Sequence, residues 1–373
     1  MKKLIIGGWI RGNSVLRFLD RYFLIPVLFT LGLFRCKKQK PKKMERIGVL
    51  VLNAIGDSII TMAPIMDMAM ENPSAKIILF VTSENASVFN LFPHKFTIEI
   101  INLCKIFGAV SRIVQYQLDI LIDCSQWVRI SGILSFFSRA HFIIGFKTAQ
   151  QFRHYVYDAY VSHSSTVHEI DNYRNLVKIL GVISTSLPRI VVPNAEKQKI
   201  IAQRLGNYVL FHPWPSGYKS ELRCWPEENW VGLARYILAL GYTLIITGGR
   251  NDYTVTQRLL VKINHNRAIS FIGHSLVEVS ALLALTNLLV TVNTGIMHLA
   301  AAIDVPMIVL NGPTSRYRWG PLSSKAVVML PKCALHGYLY LGFEYPRKIV
   351  CNCMQYIFIG DVIQQLPKVL QSA

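Results

Sequence analysis

Short, nearly unbroken apolar runs recur along this chain, and each ends in a turn rich in Gly, Asn, Asp or Pro before a segment with helical spacing begins. The first are IGVLVL at residues 47–52, KIILFV at 76–81, LDILID at 118–123 and HFIIGF at 141–146. A strand covered on one face alternates apolar and polar side chains. A run that is apolar throughout is covered on both faces, as in a parallel sheet flanked by helices. Between the runs, NAIGDS turns the chain, IITMAPIMDMAMEN reads as a helix that stops before Pro73, and residues 83–91 read as another helix. The first half is therefore expected to be a parallel α/β unit.

The alternation pauses at LPRIVVPNAEKQ, residues 187–198, where two prolines bracket a short apolar run and a charged helix follows. A domain boundary is expected near Pro193. Beyond it the pattern restarts with YVLFHP, a helix over 227–240, YTLIITGG, a helix over 253–263, a short strand near 268–272, a helix over 276–285, NLLVTV, a helix after Thr294, and PMIVLNGP. Residues 358–370 carry a last helical pattern. A chain of 373 residues suffices for two domains with a large core. The expected organisation is a leading segment 1–43, α/β domains over 44–192 and 193–345, and a tail helix in 346–373.

The net charge of +19 is concentrated at the start. Residues 1–46 hold twelve Lys and Arg against Asp20 and Glu45, a net of +10. Within them YFLIPVLFTLGLF, residues 22–34, has Thr30 as its only strongly polar side chain. As a helix these thirteen residues reach about 20 Å, short of the ~30 Å hydrocarbon core, and Pro26 is expected to kink them. No small-residue cleavage site follows, and Arg35 before Cys36 does not suit a lipoprotein signal. The segment is expected to lie in the plane of a membrane surface. The cluster RCKKQKPKKMER then holds an anionic leaflet at about 1 kcal/mol per basic residue. An ordinary docked helix and a tilted span are the alternatives. Nucleic-acid binding is not expected, because the aromatics form an apolar block and are not interleaved with the basic residues.

Seven cysteines, Cys36, Cys104, Cys124, Cys224, Cys333, Cys351 and Cys353, are odd in number and scattered, which suits a reducing compartment. Cys333, His336, Cys351 and Cys353 are loosely grouped. C-x-C after a gap of 17 residues is not a standard metal spacing, so reduced structural thiols and no metal site are expected.

In open parallel sheets ligands collect at the carboxyl ends of strands. Four turns there carry unusual chemistry. In VNTG, Asn293, Thr294 and Gly295 open a helix whose free N–H groups and dipole make an anion site fit for a diphosphate, with His298 one turn along to donate to a phosphate oxygen. Plain helix capping by Thr294 and a satisfied buried histidine explain the same residues. In HPWPSGYKSELRCWP, Arg223 suits a bidentate phosphate clamp, and a surface arginine is the bland alternative. In TGGRND, Asp252 fits a ribose hydroxyl, with helix capping the simpler role. Gly56 and Asp57 follow the first strand. There a carboxylate serves either as a general base toward a hydroxyl or as a helix cap.

The segments GDSIITMAPI, RCWPEENW, ITGGRND and NTGIMHLAAAIDVPMIVLNGPTSRYRWGPL resemble the heptosyltransferases of glycosyltransferase family 9, which act in lipopolysaccharide assembly. The resemblance covers about residues 46–321. It implies a GT-B fold: two Rossmann-like parallel-sheet domains facing a central cleft, the first binding acceptor and the second the nucleotide-sugar. Here they follow a basic, apolar N-terminal extension. It also implies an enzyme that inverts the anomeric carbon while moving heptose from ADP-heptose to a lipopolysaccharide inner-core acceptor, with no metal or other cofactor. Asp57 matches the family's catalytic base, and Asp252 an acidic residue at the ribose. Thr294, Gly295 and His298 match the donor turn, with Asn293 in place of the usual aspartate. Arg223 stands where lysine is usual. A neutral amide both donates and accepts, whereas a carboxylate only accepts, so the sugar is less determined than the transfer.

The absence of any Asp-x-Asp agrees with a metal-independent reaction. The expected place is the cytoplasmic side, attached peripherally to the anionic inner face of the inner membrane. Transfer of another sugar, a protein acceptor, and a nonenzymatic nucleotide-sugar-binding scaffold are the rivals. A nicotinamide dehydrogenase wants G-x-G-x-x-G after the first strand, which NAIGDS does not supply.

Overall fold

The computed structural model describes residue 18 and residues 20–94, 96–126, 128–217, 219–340 and 351–371. The first 17 residues of the leading segment and residues 346–350 of the tail lie outside the described residues. The chain forms two compact units that divide between Pro188 and Arg189, with the tail in the second.

The first unit is built on a six-stranded sheet in the order β3-β2-β1-β4-β5-β6, with every neighbouring pair parallel. The strands are β1 Arg46–Val51, β2 Lys76–Val81, β3 Thr97–Ile100, β4 Ile120–Asp123, β5 Phe142–Lys147 and β6 Ala159–Ser162. Apart from a solvent-facing end residue, β1, β2, β4 and β5 are buried along their whole length, the physical counterpart of their continuous apolar sequences. The edge strand β3 is partly buried with an exposed last residue, and the edge strand β6 alternates between partly buried and exposed. Leu50, Ile78, Phe80, Leu121, Leu134, Ile143 and Tyr157 make up much of the core. At Gly145 a methyl group would fall 2.3 Å from the Tyr157 ring, so the glycine lets that ring lie directly on β5.

The second unit repeats the plan in the order β12-β11-β10-β7-β8-β9, again all parallel. Its strands are β7 Tyr208–His212, β8 Thr243–Gly248, β9 Ala268–Ile272, β10 Leu288–Val292, β11 Met307–Leu310 and β12 Ala326–Met329. The tail helix Ile359–Gln371 contributes Val362, Leu366 and Val369 to the core formed with Phe211, Trp225, Trp230 and Ile246. The indole N–H of Trp225 donates to the Ile357 carbonyl at 2.8 Å, which ties the tail to that core. In both sheets the direction of winding reverses beside the first strand, between β1 and β4 and between β7 and β10. These are the places where such sheets bind ligands.

The apolar leading segment forms the helix Leu24–Leu33, ten residues and therefore about 15 Å long. Pro26 does not kink it. The proline is the third helical residue, where no N–H is needed, and the break falls just before, at Phe23. One face docks on the first unit through Leu28, which is fully buried, through Gly32 against Tyr155, and through the Arg35–Asp158 ion pair. The opposite face stays exposed and apolar, with Phe23, Val27, Leu33 and Phe34 outward and Lys37, Lys38 and Lys40 exposed just beyond. No helix among the described residues is long and apolar enough to cross a membrane.

Candidate functional site

The turn after β10 passes directly into the helix Gly295–Ile303, with Thr294 at the N-cap in extended conformation. Its hydroxyl caps nothing. Thr294 Oγ1 is buried without a hydrogen-bond partner, and the residue is only 9% exposed. The bland reading of this threonine as a helix cap is thereby lost. The first helical residues, Gly295 and Ile296, are partly exposed, so their N–H groups sit at an accessible, uncapped, positive helix end. His298 lies one turn further in and is buried.

Arg223 ends the short 3-10 turn Ser220–Arg223 in the loop after β7. Its Nη1 donates to the Asn293 carbonyl at 3.2 Å and its Nη2 to the Ser216 carbonyl, and the residue is buried. The surface-arginine alternative does not hold. Folding places this guanidinium against the NTG turn, so a fixed cation stands beside the helix end.

Asn293 has a role that its sequence position concealed. Its side-chain Nδ2 donates to Asn311 Oδ1 at 2.8 Å and to the Trp319 carbonyl at 3.1 Å. Asn311 is held in turn by Thr314, whose Oγ1 donates to Asn311 Oδ1 and whose carbonyl accepts from Asn311 Nδ2. A carboxylate at 293 would face two acceptors, which accounts physically for the amide. The Trp319 indole N–H, buried in the same neighbourhood, has no partner. Asp252 lies at the end of β8, beside β7, and its Oδ2 accepts from the Gly249 N–H at 2.8 Å. It thus closes the 3-10 turn Arg250–Asp252 but makes no side-chain cap bond to the helix Tyr253–Ile263 that follows, and burial pushes its carboxyl up from the ordinary value.

In the first unit, Gly56 and Asp57 are the second and third residues of the helix Ile55–Glu71, which leaves the carboxyl end of β1 at the winding reversal. Asp57 Oδ2 accepts from the Ala54 N–H at 3.3 Å, and the residue is 8% exposed. Alanine at the N-cap has no side chain to complete a reciprocal box, so the carboxylate alone serves that end. Capping and proton transfer are compatible here, because the bond is long and a carboxylate has about four acceptor sites.

In the second unit His212, at the end of β7 and paired with Thr291 of β10, is a further buried group. Its Nδ1 lies 3.0 Å from Thr247 Oγ1, which itself donates to the Phe211 carbonyl, so the imidazole supplies the proton. Burial pushes its pKa down to about 4. A histidine held neutral in the fold contributes stability that is complete above about pH 6.5 and is lost as pH falls toward 4, on the order of 3 kcal/mol in all. Unfolding free energy measured across that window is expected to fall more steeply for the wild type than for His212→Asn; equal slopes would remove His212 from the account.

A family model described as glycosyltransferase family 9 (heptosyltransferase) matches residues 108–334. The chain belongs to glycosyltransferase family 9. Among curated relatives, it is 31% identical over 109 residues to lipopolysaccharide heptosyltransferase 2 of Salmonella typhimurium, covering 28% of this chain and 31% of that one. It is 32% identical over 138 residues to lipooligosaccharide heptosyltransferase 2 of Haemophilus influenzae, covering 36% and 39%. These alignments span about a third of the relatives' length. The solved structure of E. coli ADP-heptose lps heptosyltransferase II shares the fold with a TM-score of 0.74 at 18% identity, over 88% of this chain and 99% of that one.

In this family 9 chain, the matched stretch contains Arg223, Asp252, Asn293, Thr294, Gly295 and His298, while Gly56 and Asp57 precede it. Fold places Arg223, Asn293, Thr294 and Gly295 together at one strand edge. Asn311, Thr314 and Trp319 support that edge and were not singled out in the sequence. Their only local signal is the polar NGPTS turn at the end of β11. All seven cysteines are free thiols. Burial pushes the Cys353 thiol up to about 12, and no three His, Cys, Asp or Glu side chains among the described residues are grouped to hold a metal ion.

Proposed function

We propose that this chain is an inverting, metal-independent glycosyltransferase that moves heptose from ADP-heptose to a lipopolysaccharide inner-core acceptor. The observation that carries the proposal is the uncapped end of the Gly295–Ile303 helix, with the Thr294 hydroxyl buried and unpartnered and the Arg223 guanidinium held against Asn293. An anion with oxygens spaced like a pyrophosphate satisfies all three at once. In this reading Asp57 takes the proton of the acceptor hydroxyl. The hydroxyl oxygen bonds to the anomeric carbon from the face opposite the leaving group, and ADP departs with the electron pair of the broken C–O bond. The charge on ADP is met by the helix end and Arg223 in place of a metal.

Heptose itself is supported by the family and by the names of the relatives. Calorimetry with ADP-heptose, ADP-glucose, UDP-glucose and GDP-mannose tests it. ADP-heptose is expected to bind most tightly, and preference for a uridine or guanosine donor would reject the ADP-sugar assignment.

Peripheral attachment to an anionic membrane is part of the same proposal, supported by the exposed apolar face of the Leu24–Leu33 helix beside Lys37, Lys38 and Lys40. The protein is expected to sediment with phosphatidylglycerol vesicles and much less with phosphatidylcholine vesicles. Phe23→Glu combined with Leu33→Glu should abolish sedimentation without loss of fold, since both side chains point outward. Retained binding by that variant would remove the helix from the attachment surface.

A further inference from the structure

We infer that Trp214 is the surface on which the base of the donor nucleotide stacks; this rests on the reading of the second unit as the nucleotide-sugar site. Trp214 stands just past the end of β7, in the loop that leads to Arg223. Its side chain packs against the core of that unit, and its indole N–H donates at 2.9 Å to Thr256 Oγ1, on a fully buried residue of the helix Tyr253–Ile263. The ring is therefore fixed in orientation, and its single polar atom is satisfied by the protein. Trp225 and Trp230 of the same core are 3% and 2% exposed, whereas Trp214 stays partly exposed. With its N–H bonded to the helix, the side chain offers solvent ring carbon.

Side chains from three neighbouring strand ends meet at Gly248. A methyl group there would fall 2.8 Å from Trp214 Cδ1, 2.8 Å from Ile272 Cδ1 and 3.0 Å from Asp252 Oδ2, so only glycine lets all three approach. Trp214 comes from the loop after β7, Asp252 from the turn after β8 and Ile272 from the last position of β9. The Gly273 N–H donates to the Gly248 carbonyl at 3.0 Å and closes β9 onto the same point. An aromatic ring, an apolar side chain and a carboxylate thus share one patch at the carboxyl ends of adjacent strands, where open sheets bind ligands. Asp252 spends Oδ2 on the Gly249 N–H, which leaves Oδ1 to accept from a hydroxyl.

The same loop reaches the anion end of the site. Arg223 donates through Nη2 to the carbonyl of Ser216, close after Trp214, and through Nη1 to the Asn293 carbonyl. Trp214 is therefore linked on one side to a carboxylate fit for a ribose hydroxyl and on the other to a guanidinium fixed beside the helix end assigned to the pyrophosphate. A nucleoside diphosphate presents the matching parts: a flat base, a ribose with hydroxyls, and anionic phosphates. Only the base has an aromatic face, and an indole held in one orientation suits it. A tryptophan needed only for packing would be buried as Trp225 and Trp230 are, and has no use for a carboxylate at its edge.

Calorimetry on the full chain with ADP, ribose 5-phosphate and inorganic pyrophosphate tests the assignment. Trp214→Ala is expected to weaken ADP binding roughly 5- to 100-fold, the range of one lost base–aromatic stack, and to leave ribose 5-phosphate and pyrophosphate unchanged. Trp214→Phe should keep most of the ADP affinity, since a smaller ring still stacks. ADP, and not pyrophosphate, should quench the tryptophan emission of the wild type, and Trp214→Phe should lose that quenching while still binding ADP. Those two readings decide the question if Trp214→Ala folds poorly. Unchanged ADP affinity in Trp214→Ala, a loss shared by ribose 5-phosphate or pyrophosphate, or quenching that survives in Trp214→Phe would each overturn the role of Trp214 and leave the donor site standing. A wild-type chain that binds neither ADP nor pyrophosphate would instead overturn the reading on which the inference stands.

Discussion

Asp57→Ala is expected to lower turnover by roughly 10²- to 10⁴-fold while leaving ADP affinity unchanged, the range typical of a lost general base. ADP affinity should hold because the residues assigned to the donor, Arg223 and the NTG turn, belong to the second unit and Asp57 to the first. The alanine variant also removes the acceptor for the Ala54 N–H, a cap worth about 1 kcal/mol, so stability must be measured beside activity. Asp57→Asn separates the two effects. Its carbonyl oxygen still accepts from Ala54, but the amide cannot take a proton. An asparagine variant as stable as wild type and as slow as the alanine variant identifies the carboxylate as the base. An asparagine variant with normal turnover would reduce Asp57 to a helix cap.

Asp20→Ala is expected to destabilise the first unit by about 3–5 kcal/mol, the cost of leaving one member of a buried ion pair without its partner. Both carboxylate oxygens of Asp20 are used on Arg129, Oδ1 by its backbone N–H at 3.0 Å and Oδ2 by Nη1 at 3.1 Å. Arg129 is fully buried at the start of the Ile130–Phe137 helix, and its Nη2 donates to the Gln150 carbonyl. Against a total stability of about 5–15 kcal/mol for an ordinary domain, such a loss is a large fraction. Chemical denaturation should show a clear drop in midpoint, with Asp20→Asn intermediate. An unchanged midpoint would mean that the leading segment is not integral to the first unit. The same contact bears on attachment to membranes. Deleting residues 1–43 removes Asp20, Leu28 and Arg35 together, so weaker action on a membrane-borne acceptor after that deletion would report lost fold as readily as a lost anchor. Outward substitutions at Phe23 and Leu33 avoid the confusion.

What could be read in advance followed from how many faces of an element are covered. β1, β2, β4, β5, β7, β8, β10 and β11 lie inside their sheets, are apolar almost throughout, and stand out without any structure. The edge strands β3 and β6 are four residues each, mixed in polarity and only partly buried, so nothing in TIEI or AYVS separates them from loop. Pro26 shows a local rule placed one turn wrong: a proline breaks the helix before it and starts a new one when it falls in the first turn.

The site divides in the same way. Turn residues at strand ends mark Asp57, Asp252 and the NTG helix because capping and anion binding are local chemistry. The amide role of Asn293 depends on Asn311 and Trp319, 18 and 26 positions away, and the buried Tyr173 hydroxyl accepts from Asn53 and Gln126, 120 and 47 positions away. Only the fold brings those groups within hydrogen-bonding distance. Capping at Thr294 is the instructive failure of local reasoning, since the residue type and position are ideal and the hydroxyl nevertheless faces no protein partner.

The most direct measurement is the crystal structure of the full chain with ADP. The pyrophosphate is expected on the N–H groups of Gly295 and Ile296, with the Thr294 hydroxyl donating to one phosphate oxygen and the Arg223 guanidinium within reach of another. Phosphates bound elsewhere, with the Thr294 hydroxyl still unpartnered, would contradict the account.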